Sequence, residues 1–179
     1  RHGRSVVVTG PAGIGKTRAL RDVGEALADQ GVAVLRAVAS PVAGRIPLGA
    51  IAPLLPIDVV SLPASASRIA AVSAWFAALH GPVVLVIDEA EHLDDESTVV
   101  VHHLVAGDDV AVLAAVRSHD ASARPPAQLE RLVRDAQMDT VWLPPLDEHE
   151  VGSALAHGLD GVVAAATTRV LHAASEGNP

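Results

Sequence analysis

The sequence predicts a three-layer α/β fold, with helices on both faces of a mainly parallel five-stranded sheet. Strand-like and helix-like segments alternate along most of the 179 residues, the pattern left by parallel strands joined through helical crossovers. The run at 83–87, Val-Val-Leu-Val-Ile, is continuously apolar, as a strand buried on both faces should be. Residues 5–9, Ser-Val-Val-Val-Thr, read the same way and lead into a glycine-rich turn with a helix behind it.

The elements follow in order. After the strand at 5–9, a helix spans 17–28 and Gly31 closes it; residues 32–39 form the second strand. Pro41, Pro47, Pro53, Pro56 and Pro63 then fix φ and remove backbone donors, leaving room for one short helix around 48–55 in an otherwise irregular connector. Ile69, Val72, Trp75, Phe76 and Leu79 recur at helical spacing, and His80-Gly81-Pro82 stops that helix before the third strand at 83–87. Asp94 or Asp95 caps a helix bearing Val99, Val100, His103 and Leu104, which Gly107 ends. The fourth strand is 110–116. Pro125-Pro126 opens a helix bearing Leu129, Leu132 and Val133, and 140–143 is a short fifth strand. After Pro144-Pro145 alternation gives way to helix upon helix: Asp147 and Glu150 make a capping box that opens 148–156, and 161–174 follows. The expected division is a main unit, 1–145, and the beginning of a helical unit, 146–179. The chain starts almost on its first strand and stops at Gly177-Asn178-Pro179 without a closing element, so it is expected to be cut from a longer protein at both ends.

Half of the residues are apolar and 19% are charged, an ordinary balance for a globular domain with a full core. Aromatic residues make up only 2%, so Ala, Val and Leu must fill that core. No apolar run is long enough to span a bilayer, and the first is too short for an export signal. The absence of cysteine excludes disulfides and thiolate metal sites, and a cytoplasmic location is the expectation. A net charge of −8 argues against a direct grip on nucleic acid by this segment.

Among 13 basic residues, Lys16 is the only lysine. It lies in Gly10-Pro11-Ala12-Gly13-Ile14-Gly15-Lys16-Thr17, which matches G-x-x-x-x-G-K-[ST], a loop whose successive backbone N–H groups wrap a β-phosphate. Lysine suits the position because a compact ammonium on a flexible stem fits between β- and γ-phosphate oxygens, where a planar guanidinium fork would be too wide. Thr17 offers a hydroxyl to Mg2+, and Arg18 completes the phosphate-binding stretch at the start of the helix. A glycine turn that merely resembles such a loop is the alternative. The strand before the loop and the helix after it argue against that.

The second informative stretch is Val83 to Asp95. An aspartate at the carboxyl end of a buried strand can reach the metal held by Thr17, because ligands of open α/β sheets gather outside those strand ends. Asp88 is that candidate, and Glu89 beside it can polarise a water for attack on the γ-phosphate. Acidic turn residues also end many strands, so the phosphate loop carries part of this assignment. Glu91, Asp94 and Asp95 read as solvated charge and a helix cap. Arg117, at the end of the fourth strand, could sense or stabilise the γ-phosphate, although a strand-end arginine is by itself more often a surface charge. The nine histidines make no metal site: His102 and His103 are adjacent and face differently, and His149 and His157 lack a third ligand in reach. Trp75, Phe76 and Trp142 read as core fillers, not as a base-stacking platform.

Together these segments resemble the P-loop ATPases of the additional-strand, catalytic-glutamate division. More narrowly, they resemble the signal-transduction ATPases with numerous domains, known as STAND, and the AAA-like ATPase modules of large ATP-binding transcriptional regulators of the LuxR class. GPAGIGKT is similar to that family's GxAGxGKT, IDEA to its acidic pair followed by alanine, and AVRS to the strand that ends in the γ-phosphate sensor. LPPLDEHEV resembles the start of the helical lid, and EGNP its Gly-x-Pro element, whose proline, here Pro179, would lie near adenine. The resemblance spans nearly the whole chain and implies a sheet order of 5-1-4-3-2. It departs at Glu91 and His92, where the family usually has an aromatic. It also lacks the upstream Gly-Arg-Glu type segment, the rest of the lid, the sensor repeats and the DNA-binding helix-turn-helix.

The resemblance implies a Mg-ATP-binding, slowly hydrolysing switch module, with 1–145 as the P-loop nucleotide-binding domain and 146–179 as the beginning of the lid. ATP or ADP with Mg2+ would be its ligands. Its partners would be the other domains of the same polypeptide. Three alternatives stand beside it: a metabolic P-loop kinase, a nucleotide-binding module without useful turnover, and a DNA-remodelling motor. Glu89 beside Asp88 speaks against the kinase, as does the lack of an arginine-rich lid segment after the fourth strand. The motor needs basic pore loops that the sequence does not contain.

Overall fold

The computed structural model describes residues 4–107, 110–118, 120, 127–135 and 137–178. Five parallel strands, β1 (Val6–Gly10), β2 (Ala33–Val38), β3 (Val83–Asp88), β4 (Ala111–Arg117) and β5 (Asp139–Trp142), form one sheet in the order β2-β3-β4-β1-β5. This is the expected order, read from the opposite edge. β4 therefore lies between β1 and β3. The register sets Gly10 opposite Arg117 and Val38 opposite Asp88, so the strands end together at one rim of the sheet.

The period of two along each strand sorts the core into two layers. Val7, Leu85, Ile87, Val112, Ala114 and Val116 face one side, where they pack with Phe76 of α3 (Ala66–Ala77), Val100 and Leu104 of α4 (Asp95–Ala106), and Leu129 and Leu132 of a later helix, Ala127–Asp135. Val8, Val84, Val86, Leu113 and Ala115 face the other side, against Leu20 of α1 (Lys16–Asp29). Completely burying one such Leu, Ile, Val or Phe stabilises the fold by about 1.5–3 kcal/mol. The near absence of aromatics is thus met by many small, fully covered aliphatic side chains.

The proline-rich connector departs from expectation. There is no α-helix over 48–55. The backbone instead makes single 3-10 turns at Ala43–Arg45 and Ala52–Leu54 and one short helix, α2 (Ile57–Val60). Pro53 lies inside the second turn, and Leu48 adopts φ 61°, which breaks any regular helix through it. Leu48 is nonetheless buried in the apolar core, where its N–H finds a partner by donating to the carboxylate of Asp94 at 3.0 Å. That same carboxylate caps α4 by accepting the Ser97 N–H at 2.9 Å. Asp94 is therefore an internal clasp, not solvated charge.

Arg68 of α3 is also buried. It donates through Nε to Glu96 Oε1 of α4 at 2.7 Å and through a terminal nitrogen to the Leu62 carbonyl at 3.0 Å, and it pairs with Glu96 through its other arm. The Glu96 hydrogen bond holds the guanidinium pKa above its ordinary value.

The helix at Ala127–Asp135 is α5, and its expected opening at Pro125-Pro126 lies outside the described residues. Beyond β5, α6 (Glu148–Gly158) starts at the predicted capping box: Asp147 accepts the Glu150 N–H at 2.8 Å, and Glu150 accepts the Asp147 N–H at 2.9 Å. The next helix, α7 (Ala165–Ser175), begins four residues later than expected, because Ala164 stays extended at ψ 138° and Val162 stands fully in solvent. The Leu146 N–H donates to the Gly177 carbonyl at 2.8 Å and ties the two ends of this helical pair together. No helix among the described residues is long and apolar enough to cross a membrane.

Candidate functional site

The residues between β1 and α1 turn through left-handed conformations at Gly13, φ 78°, and Gly15, φ 93°, which side chains with a β-carbon resist. Gly15 is the residue just before α1, so the unpaired N–H groups and the positive dipole end of a 14-residue helix open into the loop. Lys16 arches back over it. Its ammonium donates to the Gly10 carbonyl at 2.9 Å and to the Pro11 carbonyl at 2.6 Å. Burial pushes the Lys16 pKa down most strongly, and Arg117 adds to that; Glu91, and less strongly Asp88, oppose it.

A cleft of about 330 Å³ opens over this loop at the carboxyl rim of the sheet. Ala12, Gly13, Gly15, Lys16, Thr17 and Arg18 line one side, and Asp88, Glu89, Glu91 and Arg117 the other. Asp88 ends β3, and its Oδ1 accepts the Glu89 N–H at 2.9 Å. Glu89 takes φ 51°, ψ 39°, a left-handed conformation that costs an ordinary residue about 1–2 kcal/mol. Such strain is retained where the surrounding structure over-determines it, as functional sites commonly do. Arg117 extends from β4, which lies between β3, ending in Asp88, and β1, which leads into the loop before Lys16, and its side chain is exposed and lines the cleft.

Not every expected residue lines the cleft. Ile14 is buried beneath the loop, and Gly10 and Pro11 serve as the carbonyls that receive Lys16. Arg18 reaches the cleft, while its largely exposed guanidinium pairs with Asp22 at 3.6 Å. Pro179 lies outside the described residues.

Two residues that line the cleft, and one that lies against its loop, are not singled out by the sequence. Arg21 lines the cleft one helical turn after Thr17, and the i, i+4 spacing on α1 was signal enough to find it. Glu91 reads in the sequence as solvated charge, but it is half-buried and its Oε2 accepts the Arg117 N–H at 3.1 Å. No local pattern could disclose that, because the donor comes from a strand 26 residues away. Asn178 lies against the loop from the far end of the chain: a β-carbon on Gly13 would come within 2.6 Å of its amide nitrogen.

Gly13→Ala is consequently expected to combine left-handed strain with displacement of Asn178, and to lower stability by about 1–2 kcal/mol. Urea unfolding midpoints of the two proteins check this.

The donor set suits a hard cation. Thr17 and Asp88 open onto the same cleft and offer a hydroxyl and a carboxylate, the oxygen ligands Mg2+ accepts alongside phosphate and water. No group of three or more His, Asp or Glu among the described residues could cage a metal by itself. A metal here would need oxygens from its nucleotide.

A glycine-rich loop opening a helix after β1, an acidic end to β3 and β4 interposed between them define a P-loop nucleotide-binding fold. The chain belongs to the AAA domain family, whose family model matches residues 1–120. No curated protein matches the chain in sequence. Among solved structures it is similar to the Aeropyrum pernix ORC1 protein in complex with DNA, at 18% identity and TM-score 0.63, covering 89% of this chain and 44% of that one. It is also similar to the Thermotoga maritima RuvB Holliday junction branch migration motor, at 18% identity and TM-score 0.59, covering 98% and 50%. The Aeropyrum pernix ORC2 protein in its ADPNP-ADP complexes is similar at 17% identity and TM-score 0.56, covering 89% and 46%. The chain thus spans about half the length of these structures or less. At such identities the likeness establishes the fold alone, and with the family match the chain is an AAA-type P-loop nucleotide-binding module.

Proposed function

We propose that this module binds Mg-ATP and hydrolyses it slowly, as a regulatory switch within a larger signalling or transcriptional regulator. The observation that carries the reading is the single cleft shared by Lys16, Thr17, Asp88, Glu89 and Arg117 at the ends of three neighbouring strands. In this reading Lys16 and the loop amides hold the β- and γ-phosphates. Thr17 and Asp88 hold Mg2+, which would offset phosphate charge. Glu89 orients the attacking water and receives its proton, and Arg117 answers the γ-phosphate. The spacing supports this division of labour. With β4 between β1 and β3, Glu89 sits a full strand away from the phosphate loop, which leaves room for a water between them.

The residues from 146 onward would be the beginning of a lid whose position follows the bound nucleotide. The contact between Asn178 and Gly13 supports that coupling. ADPNP and ADP on the similar ORC2 fold favour an adenine nucleotide here. DNA contact of the kind named for ORC1 is not proposed for this segment, given its net charge of −8. A cytoplasmic setting, and other domains of the same polypeptide as partners, complete the proposal.

Steady-state phosphate release from Mg-ATP tests it. Slow release with no phosphorylated acceptor is the expected result. Saturable binding with no release would favour a binding module without turnover, and a phosphorylated acceptor would favour a kinase.

A further inference from the structure

β3 and β4 are hydrogen-bonded as far as Ile87 and Ala114, after which the chain leaves β3 through the strained Glu89 and the 3-10 turn Ala90–His92. The ladder does not simply stop there. The Arg117 N–H, which has run past the end of β3, donates to Glu91 Oε2 at 3.1 Å, so a side-chain carboxylate supplies the rung that the backbone no longer can. This pins the Glu91 carboxylate to the β4 end of the cleft, the end from which Arg117 extends. It also holds the carboxylate in the same cleft that Lys16 lines from the loop side.

We propose that Glu91 sets the choice between nucleotides at this cleft, disfavouring a γ-phosphate so that the protein holds ADP in preference to ATP. The inference rests on the nucleotide reading of the cleft and adds a specificity role to it. The physical ground is the sign and position of the charge. ATP differs from ADP by one further anionic group, and that group would sit toward Lys16 and Arg117, in the cleft that the Glu91 carboxylate also lines. Like charges a few ångströms apart in a partly desolvated cleft repel far more than in bulk water. Asp88 does not impose the same penalty, because a cation would lie between it and the phosphates. Glu91 is anchored by the Arg117 backbone N–H, which fixes the carboxylate in place. The β-phosphate, which a loop of this kind wraps with its amides, would lie on the loop side of the cleft and be affected less.

The test is calorimetric titration of Mg-ADP and of a Mg-bound non-hydrolysable ATP analogue into the wild-type chain, Glu91→Gln and Glu91→Asp, with Lys16→Ala as the blank. Glutamine keeps the volume and an acceptor oxygen for the Arg117 N–H, so the backbone of β4 should stay in place while the charge is lost. The wild type is expected to bind ADP more tightly than the analogue. Glu91→Gln should tighten the analogue about tenfold and change ADP less than about twofold, and Glu91→Asp should retain the ADP preference. Equal changes for both ligands, no change, or a selective loss of the analogue in Glu91→Gln would overturn the proposal while leaving the nucleotide site standing. If the wild type gives no more binding heat than Lys16→Ala for either ligand, the nucleotide reading fails and this inference falls with it.

Discussion

Replacing Glu89 by glutamine is expected to lower phosphate release from ATP by about a hundredfold or more, the range by which a positioned general base accelerates a proton transfer. The two side chains have the same shape and both can hydrogen-bond a water. Only the carboxylate can take the proton as the water attacks. The left-handed backbone at Glu89 is held by the Asp88 carboxylate and by the His92 N–H that donates to the Glu89 carbonyl at 2.9 Å. Neither bond involves the Glu89 side chain, so the substitution should leave the turn intact. Nucleotide affinity should therefore change little while turnover falls. Equal turnover in the two proteins would remove Glu89 from the chemistry and favour a module whose state is set by binding alone.

A comparably large effect, on stability instead of activity, is expected at Arg68. Its guanidinium is buried between α3 and α4, with Glu96 and the Leu62 carbonyl as acceptors. Arg68→Ala leaves the Glu96 carboxylate in a mostly covered position without its partner, and breaking a buried pair in this way costs about 3–5 kcal/mol. That is a large part of the roughly 5–15 kcal/mol by which a domain of this kind is stable. The double variant Arg68→Leu with Glu96→Leu should recover most of the loss, because two buried apolar side chains need no partner. Urea denaturation of the three proteins decides the matter: a double variant as unstable as Arg68→Ala would mean that the arginine acts through packing and not through its charge.

The parts of this fold that are legible in sequence are those set by local pattern. The apolar run of β3, the helical spacing in α3 and the Asp147–Glu150 capping box each signal an element whose residues interact with near neighbours in the chain. The phosphate loop is legible for a stronger reason: glycines, a lysine and a threonine at fixed spacing are needed together only where backbone amides must approach a phosphate. The sheet order came from resemblance to known P-loop ATPases, and no residue pattern within the chain would have fixed it.

What stayed hidden depends on distant partners. Asp94 reads as an ordinary helix cap until Leu48 is brought to it across 46 residues of chain. The segment 48–55 has apolar residues enough for a helix. Its geometry is decided instead by prolines and by the buried Leu48, which tertiary contacts hold in a conformation a helix cannot include. Glu91 is illegible for the same reason, since it lines a cleft that exists only once β3 and β4 are paired. Arg21 is the exception, because its i, i+4 spacing from Thr17 on α1 is a local signal that places it beside the loop.

The central claim is that the cleft above the loop holds the phosphates of a nucleotide through Lys16, the only lysine in the chain. Calorimetric titration of Mg-ATP and Mg-ADP into the wild-type protein and Lys16→Ala tests it directly. The prediction is saturable binding of both nucleotides by the wild type and its loss in Lys16→Ala, with the variant still folded. Equal binding by the two folded proteins would contradict the account, because the nucleotide would then be held somewhere other than the loop.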